Sequence, residues 1–247
     1  MDWQDEGIVL AARGHGESDA IVSLFTFEHG RHTGLVRGGG GRRLRPLLQP
    51  GNRLGCTWRA RLSEHLGRFA VEPLRLFAAT VLDDPPALAA LGAVCGLLEA
   101  GTGERDPHPS LYAGAVTLLE RLARRDPDWP ADYVRFELLL LAEAGFGLDL
   151  RHCALTGVED DLAFVSPRSG RAVSRAAGAP WAAKLLPLPA FLTGGGAADA
   201  AQIVQGLKLA GWFLYRHILA PADRTMPPAR ERLFEMMRRQ AGEGENP

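Results

Sequence analysis

Apolar runs in the first 75 residues are short, and turns bounded by glycine separate them. Ile8-Val9-Leu10 and Ile21–Phe27 are β-branched and aromatic, as strands require. Gly14-His15-Gly16 and Glu28-His29-Gly30 bound them, Leu35-Val36 follows, and Pro50-Gly51-Asn52 is a further turn. Cys56–Leu62 alternates, with Trp58, Ala60 and Leu62 on one face and Arg59, Arg61 and Ser63 on the other. That pattern predicts a half-buried strand with an arginine face. Leu66–Val71 is the last strand candidate. Five short strands in so little chain predict a small closed barrel, and the OB-fold has this size.

From Leu76 the apolar period lengthens to that of helices. Ala87–Gly101 follows the start signal Asp83-Asp84-Pro85-Pro86. Ser110–Arg125 has a serine to cap it, and Pro130–Ala144 has proline at its entry and Gly145 just past its end. Asp199–Leu219 and Pro228–Gln240 are two more helices. The expected class is α+β, with a barrel over 1–78 and a helical domain over 79–247. Within the second, 149–180 reads as irregular. Gly194–Gly196 reads as a flexible link, and Glu243–Pro247 as a polar tail without structure.

The charge is placed unevenly. The chain is formally −1, yet Arg31–Arg75 holds ten arginines against two acids, a local balance of +8. At its centre Gly38–Gly41 precedes Arg42-Arg43-Leu44-Arg45, which reads as a mobile loop tipped with guanidinium groups. So much unopposed charge points to a polyanion. Arg37, Arg42, Arg43 and Arg45 are the leading contacts, because glycines let a backbone approach phosphate closely. Arg59 and Arg61 extend the site along a strand, Arg31 and Arg68 stand at its margin, and Arg53 and Arg75 are expected to cap or pair locally. Trp58 and Phe69 could serve as base-stacking platforms, but they fall on apolar strand positions, which favours the core; Trp3, beside the first strand, is open to both readings.

Several chemistries find no support. The glycine run lacks the Lys-Ser or Lys-Thr ending of a nucleotide phosphate loop. Ser18-Asp19 beside His15-Gly16-Glu17 sits in a turn, not at a nucleophile elbow. His15, His29, His32 and His65 have no acid or cysteine at ligand spacing. The acids of the middle third read as solvated helix ends. Cys56, Cys95 and Cys153 are odd in number and far apart, so no disulfide framework is expected and a reducing cytosol is. Charge begins at Asp2, so no secretory signal is expected, and no uncharged apolar run reaches membrane-spanning length.

Two turns repeat one spacing: Cys153-Ala154-Leu155-Thr156-Gly157 and Ser166-Pro167-Arg168-Ser169-Gly170. This is the spacing of paired zinc knuckles, but only Cys153 is a thiol, and hydroxyls are poor zinc ligands. A knuckle geometry without its metal, and no other cofactor, is the expectation.

In order along the chain stand Trp3-x-x-Glu6-Gly7-Ile8-Val9-Leu10, Gly16–Val22, Thr26-x-x-His29-Gly30, Gly34–Gly38 and Leu48–Asn52. Leu138–Gly147, the two knuckle turns and Leu185–Pro189 continue the series. Together they resemble the RecO family of bacterial DNA repair proteins over nearly the whole chain. The resemblance implies an N-terminal OB-fold, a helical C-terminal domain and, in many members, a four-cysteine zinc ribbon. This chain departs from the ribbon at Thr156, Ser166 and Ser169. The resemblance also implies a cytoplasmic, nucleoid-associated protein without catalysis. Such a protein binds single- and double-stranded DNA and anneals complementary strands. It contacts the acidic-hydrophobic tail of single-strand-binding protein and, with RecR, helps load RecA recombinase. For that tail the candidates are Lys208, Trp212 and Arg216, at four-residue steps on one helix, with Arg121 and Arg124 ending another. From composition alone an RNA-binding OB module is equally served by the arginines.

Overall fold

The computed structural model describes residues 1–62, 64–194 and 196–243. Ser63, the middle of the Gly194–Gly196 link and the tail beyond Glu243 lie outside the described residues.

Five strands close into a barrel in the order β1-β2-β3-β5-β4. They are β1 (Asp2–His15), β2 (Asp19–Thr26), β3 (Gly30–Val36), β4 (Arg53–Arg59) and β5 (Arg68–Arg75). All pairs are antiparallel except β3 with β5, where Leu35 and Val36 lie beside Arg68 and Phe69 and close the ring. This is the expected five-stranded OB-like barrel. Strand β1 is far longer than Ile8–Leu10, because Asp2–Glu6 pairs with β4 through residues whose polarity hides a strand. Strand β4 stops at Arg59, so Arg61 stands on the following loop and Leu62 is solvent-exposed, not inward-facing. The core holds Val9, Val22, Leu24, Leu54, Trp58 and Phe69 among others. Trp58 is 2% exposed and donates its ring N–H to the Leu66 carbonyl at 3.1 Å, which makes it a core residue.

Helix α1 (Phe77–Thr80) is a single turn; α2 (Pro85–Gly101) and α3 (Pro109–Arg124) are long. The side chain of Asp84 caps α2 by accepting from Ala87 N–H at 3.1 Å. Helix α2 is apolar on nearly every face because it is covered on nearly every face. It lies on the outer side of β1 and β2, where Cys95 Sγ reaches the Val9 carbonyl and Glu99 accepts from Ser23 Oγ at 2.6 Å. Full burial of Leu91, Val94, Leu97 and Leu98 stabilises this seat by about 1.5–3 kcal/mol per side chain. The barrel and these helices form one compact unit, residues 1–125 together with Pro227–Arg230.

The second compact unit takes Asp126–Met226 and the chain from Glu231. It contains α4 (Trp129–Glu143), α5 (Arg175–Gly178), α6 (Ala200–Leu214), continued by a π-helical turn at Tyr215–Leu219, and most of α7 (Pro228–Gln240). Helix α6 begins with a full capping box, Asp199 and Gln202 bonding reciprocally. The segment 149–180 is not irregular. Strands β6 (Leu162–Val165), β7 (Ala172–Ser174) and β8 (Leu186–Pro187) form a small antiparallel sheet in the order β7-β6-β8. No helix among the described residues is long and apolar enough to cross a membrane.

Candidate nucleic-acid interface

The glycine loop between β3 and β4 is a built element, which corrects the expectation of mobility. Gly38 N–H donates to the Asp19 carboxylate at 2.8 Å, and Gly40 N–H to the Ser18 carbonyl at 2.8 Å. These bonds also account for Ser18-Asp19 as turn chemistry. A Cβ on Gly39 would stand 2.7 Å from Ala20 Cβ and 3.0 Å from Leu48 Cδ1, so glycine is demanded here by packing. The chain then coils from Gly41 to Leu48 through Arg45 N–H to the Gly41 carbonyl and Leu48 N–H to the Leu44 carbonyl. Leu48 enters the barrel core, and Leu44 and Leu47 pack against it. Arg42, Arg43 and Arg45 are thereby held outward and exposed.

Beside this loop an open groove of about 1030 Å³ runs over β4 and β5. Arg37, Arg43, Arg59, Arg61 and Arg68 line it, over a floor of Leu35, Leu44, Leu66, Phe69 and Val71. Five of the arginines expected to bind a polyanion therefore share one concavity. Arg45 lines a different depression, Arg42 lines neither, and Arg31 lies elsewhere.

Pairing sorts the arginines further. Arg31 is only 15% exposed at its side chain; it donates to the Thr102 carbonyl at 3.2 Å and pairs with Glu99 at 3.6 Å. Arg53 pairs with Glu6 at 2.5 Å and Arg75 with Glu120 at 4.0 Å, so both are paired, but with acids far away in sequence rather than locally. Arg59 stands 3.9 Å from Asp2, both largely exposed, so that pair is weak. Arg37, Arg42, Arg43, Arg45, Arg61 and Arg68 form no ion pair with a described residue.

The aromatics nearby are structural. Trp3 stacks on His29 with centroids 4.0 Å apart and on Trp58 at 5.7 Å, with Phe69 edge-on at 5.9 Å. His29, contrary to the reading of isolated turn histidines, meets Asp5 at 3.0 Å. His32 lies in β3, 4% exposed among Trp3, Trp58 and Phe69, and neither ring nitrogen has a hydrogen-bond partner among the described residues. Burial, and then the Arg105 guanidinium, push its pKa down to about 4. Phe69, 4% exposed, is the only Phe, Tyr or Trp among the described residues that line the groove, and His65 is its one exposed ring, so phosphate contact rather than an extended stacking platform is what this surface offers.

The other candidates are dispersed. Asp83 pairs with Arg125, Asp84 caps α2, Asp106 meets His108 and Asp132 meets Arg135, so the acids of the middle third serve helix ends and local pairs. No group of three or more His, Cys, Asp or Glu among the described residues could hold a metal. Each knuckle turn closes as its spacing predicts, Gly157 N–H to the Cys153 carbonyl and Gly170 N–H to the Ser166 carbonyl, both 2.9 Å. Burial opposes ionisation of Cys153. Hydrogen bonds from Ser174, whose N–H lies 3.3 Å from Sγ, and from Thr156 nevertheless hold the thiol down to about 6. One thiol among hydroxyls does not fit zinc.

In the second unit Trp212 is 47% exposed, so it is a surface residue and not a core tryptophan. Arg216 is exposed, and Lys208 pairs with Glu243 at 2.9 Å. Arg121 and Arg124 end α3 and belong to the first unit. A feature the sequence did not disclose is a groove of about 880 Å³ in the second unit. Half-buried Leu138, Leu139, Leu148, Leu150, Leu162 and Leu192 line it, with Arg135 and Arg151 and with Glu159, whose carboxylate lies 3.2 Å from His152. Arg135 is held by Asp132 at 2.9 Å and by the Phe191 carbonyl at 3.1 Å; Arg151 is exposed without an ion pair to a described residue. The leucines come from a helix, a loop, a strand and the 3-10 turn Ala190–Leu192, so no single stretch of sequence displays them together.

Comparison with known proteins accords with this architecture. The family model for the recombination protein O N terminal matches residues 1–77, and that for the recombination protein O C terminal matches residues 82–225. DNA repair protein RecO of Cereibacter sphaeroides (strain KD131) is 52% identical over 241 residues, covering 97% of this chain and 99% of the relative. That of Rhodospirillum rubrum is 51% identical over 245 residues, 97% of each chain. That of Chelativorans sp. (strain BNC1) is 50% identical over 249 residues, all of this chain and 99% of the relative. Matched in both halves and at half identity along its length, the chain belongs to the RecO family of DNA repair proteins, non-catalytic mediators of recombination.

Proposed function

We propose that this protein binds single- and double-stranded DNA through the arginine groove of its barrel, anneals complementary strands and, with RecR, helps load RecA onto coated single strands. It acts in the cytoplasm at the nucleoid, and residues 1–78 are its nucleic-acid-binding domain. The observation that carries the reading is the convergence of Arg37, Arg43, Arg61 and Arg68, none ion-paired with a described residue, with Arg59 in one open groove. Such a surface neutralises phosphate charge without reading bases. It performs no covalent chemistry: its work is to hold strands that otherwise repel.

The acidic-hydrophobic tail of single-strand-binding protein needs an apolar slot with a cation beside it. The leucine groove with Arg151 meets that need better than Lys208, Trp212 and Arg216, whose lysine is already paired with Glu243. The test is annealing of complementary strands coated with single-strand-binding protein, intact or tail-deleted. Acceleration that needs both the tail and the arginine groove supports the whole reading. Equal acceleration without the tail removes the leucine groove from it. A competition in which RNA of the same sequence displaces DNA at equal concentration favours an RNA-binding module instead.

A further inference from the structure

We infer that the barrel carries a second strand path, separate from the arginine groove and divided from it by the glycine loop. The inference rests on the reading that the first groove holds single-stranded nucleic acid. On the other side of the loop lies a depression of about 430 Å³. Arg13 and Gly14 of β1, Gly40, Arg45 and Gln49 of the loop, and Ala20 of β2 line it.

Four features fit this depression to a phosphodiester chain. Its two cations come from different segments, and neither forms an ion pair with a described residue. None of its lining residues is acidic, and the nearby Asp19 carboxylate is engaged by Gly38 N–H at 2.8 Å. The ladder of β1 with β4 ends at Ile8, so the stretch carrying Arg13 and Gly14 has no strand on its outer edge. A Cβ placed on Gly14 would meet nothing within 4 Å, so the floor is open to a sugar or phosphate.

The loop supplies residues to both sides. Arg43 and Leu44 face the first groove; Gly39, Gly40, Arg45 and Leu48 face the second. It is a fixed wall, pinned by Gly40 to Ser18 and by Leu48 in the core. Two strands lying on either side would be held close with their repulsion screened by arginine. Their pairing then becomes an event on one protein rather than between two solutes. The second ligand is thus a nucleic-acid single strand complementary to the first.

The experiment uses the full chain and three proteins: wild type, R13E/Q49E for the second path and R43E/R68E for the first groove. Anisotropy measures binding of labelled oligo(dT), and fluorescence quenching measures annealing of two complementary oligonucleotides. All four side chains are exposed, and thermal midpoints serve as the folding control. R13E/Q49E is expected to bind oligo(dT) within about twofold of wild type while annealing on the order of tenfold slower. R13K, which keeps the charge, should anneal near the wild-type rate. R43E/R68E should lose both. Wild-type annealing by R13E/Q49E overturns the second path. Loss of oligo(dT) binding by R13E/Q49E as severe as that of R43E/R68E also overturns it, since the two depressions would then be one site. If wild type binds no oligo(dT), the reading of the first groove fails, and this one with it.

Discussion

Changing Arg43, Arg61 and Arg68 to alanine removes three of the five guanidinium groups that line the barrel groove. All three are exposed and none is ion-paired with a described residue, so stability should hardly move. Binding should change in a particular way. Each arginine on a phosphate of single-stranded DNA adds about −0.7 to the slope of log affinity against log salt. Five contacts give a slope of about −3.5, and the two left in the variant give about −1.4. Between about 50 and 200 mM salt, wild-type affinity should fall about 130-fold and that of the variant only about 7-fold. The assay is fluorescence anisotropy of a labelled oligonucleotide across that salt range. An Arg31→Ala variant is the contrast: it loses a Glu99 pair and a Thr102 hydrogen bond, costing about 1–2 kcal/mol of stability, and keeps the slope. A triple variant whose slope equals that of wild type refutes the assignment of phosphate contacts to this groove. A wild-type slope near zero refutes the electrostatic mechanism itself.

Gly39→Ala should lower the denaturant midpoint, because its Cβ meets Ala20 and Leu48 in the wall of the barrel; overpacking of this kind costs about 1–3 kcal/mol, and an unchanged midpoint would show that the loop is loose. His32 titrates at about 4 when folded and near 6.5 when unfolded, so its contribution is complete above 6.5 and is lost as pH falls from there towards 4, by about 3 kcal/mol at the limit. His32→Phe should flatten that part of the stability profile in urea titrations, and a profile identical to wild type would discount the buried ring. Arg151→Glu should weaken binding of a synthetic acidic-hydrophobic tail peptide about tenfold by calorimetry, on the order of one charged hydrogen bond, and leave oligonucleotide binding unchanged.

The barrel was legible where β-branched and aromatic residues run together, as in Ile21–Phe25, and where apolar residues alternate, as around Trp58. It was illegible at Asp2–Glu6, where a strand is held by its ladder to β4 and its side chains are polar. Helix boundaries were close because their signals are local: Asp84, Pro85 and the Asp199 capping box act within one turn, whereas Ser110, expected as a cap, is the second residue of α3, which starts at Pro109 without a side-chain cap. The small sheet at β6-β7-β8 escaped because each of its strands is four residues or fewer, too short for a period to show. Mobility of the glycine loop was a misreading of composition. Four glycines loosen an isolated chain, but here Gly39 makes room for Ala20 and Leu48, so the run permits close packing instead.

What no local pattern could supply is which arginines are already spoken for. The excess of positive charge between Arg31 and Arg75 counts only neighbours in sequence. Glu99 of α2, Glu6 of β1 and Glu120 of α3 lie outside that stretch, and they take Arg31, Arg53 and Arg75 respectively. Asp2 leans on Arg59 from the far end of β1. Tertiary pairing thus removes charge from the start of β3 and from the end of β5, and leaves it on the glycine loop and around the β4–β5 turn. The six arginines of this stretch that form no ion pair with a described residue are Arg37, Arg42, Arg43, Arg45, Arg61 and Arg68. A charge left unpaired on a rigid wall keeps its field for a ligand, whereas a paired one has spent it on the fold. The polyanion site is therefore narrower than the sequence made it, and it is centred on the loop that the barrel core holds in place.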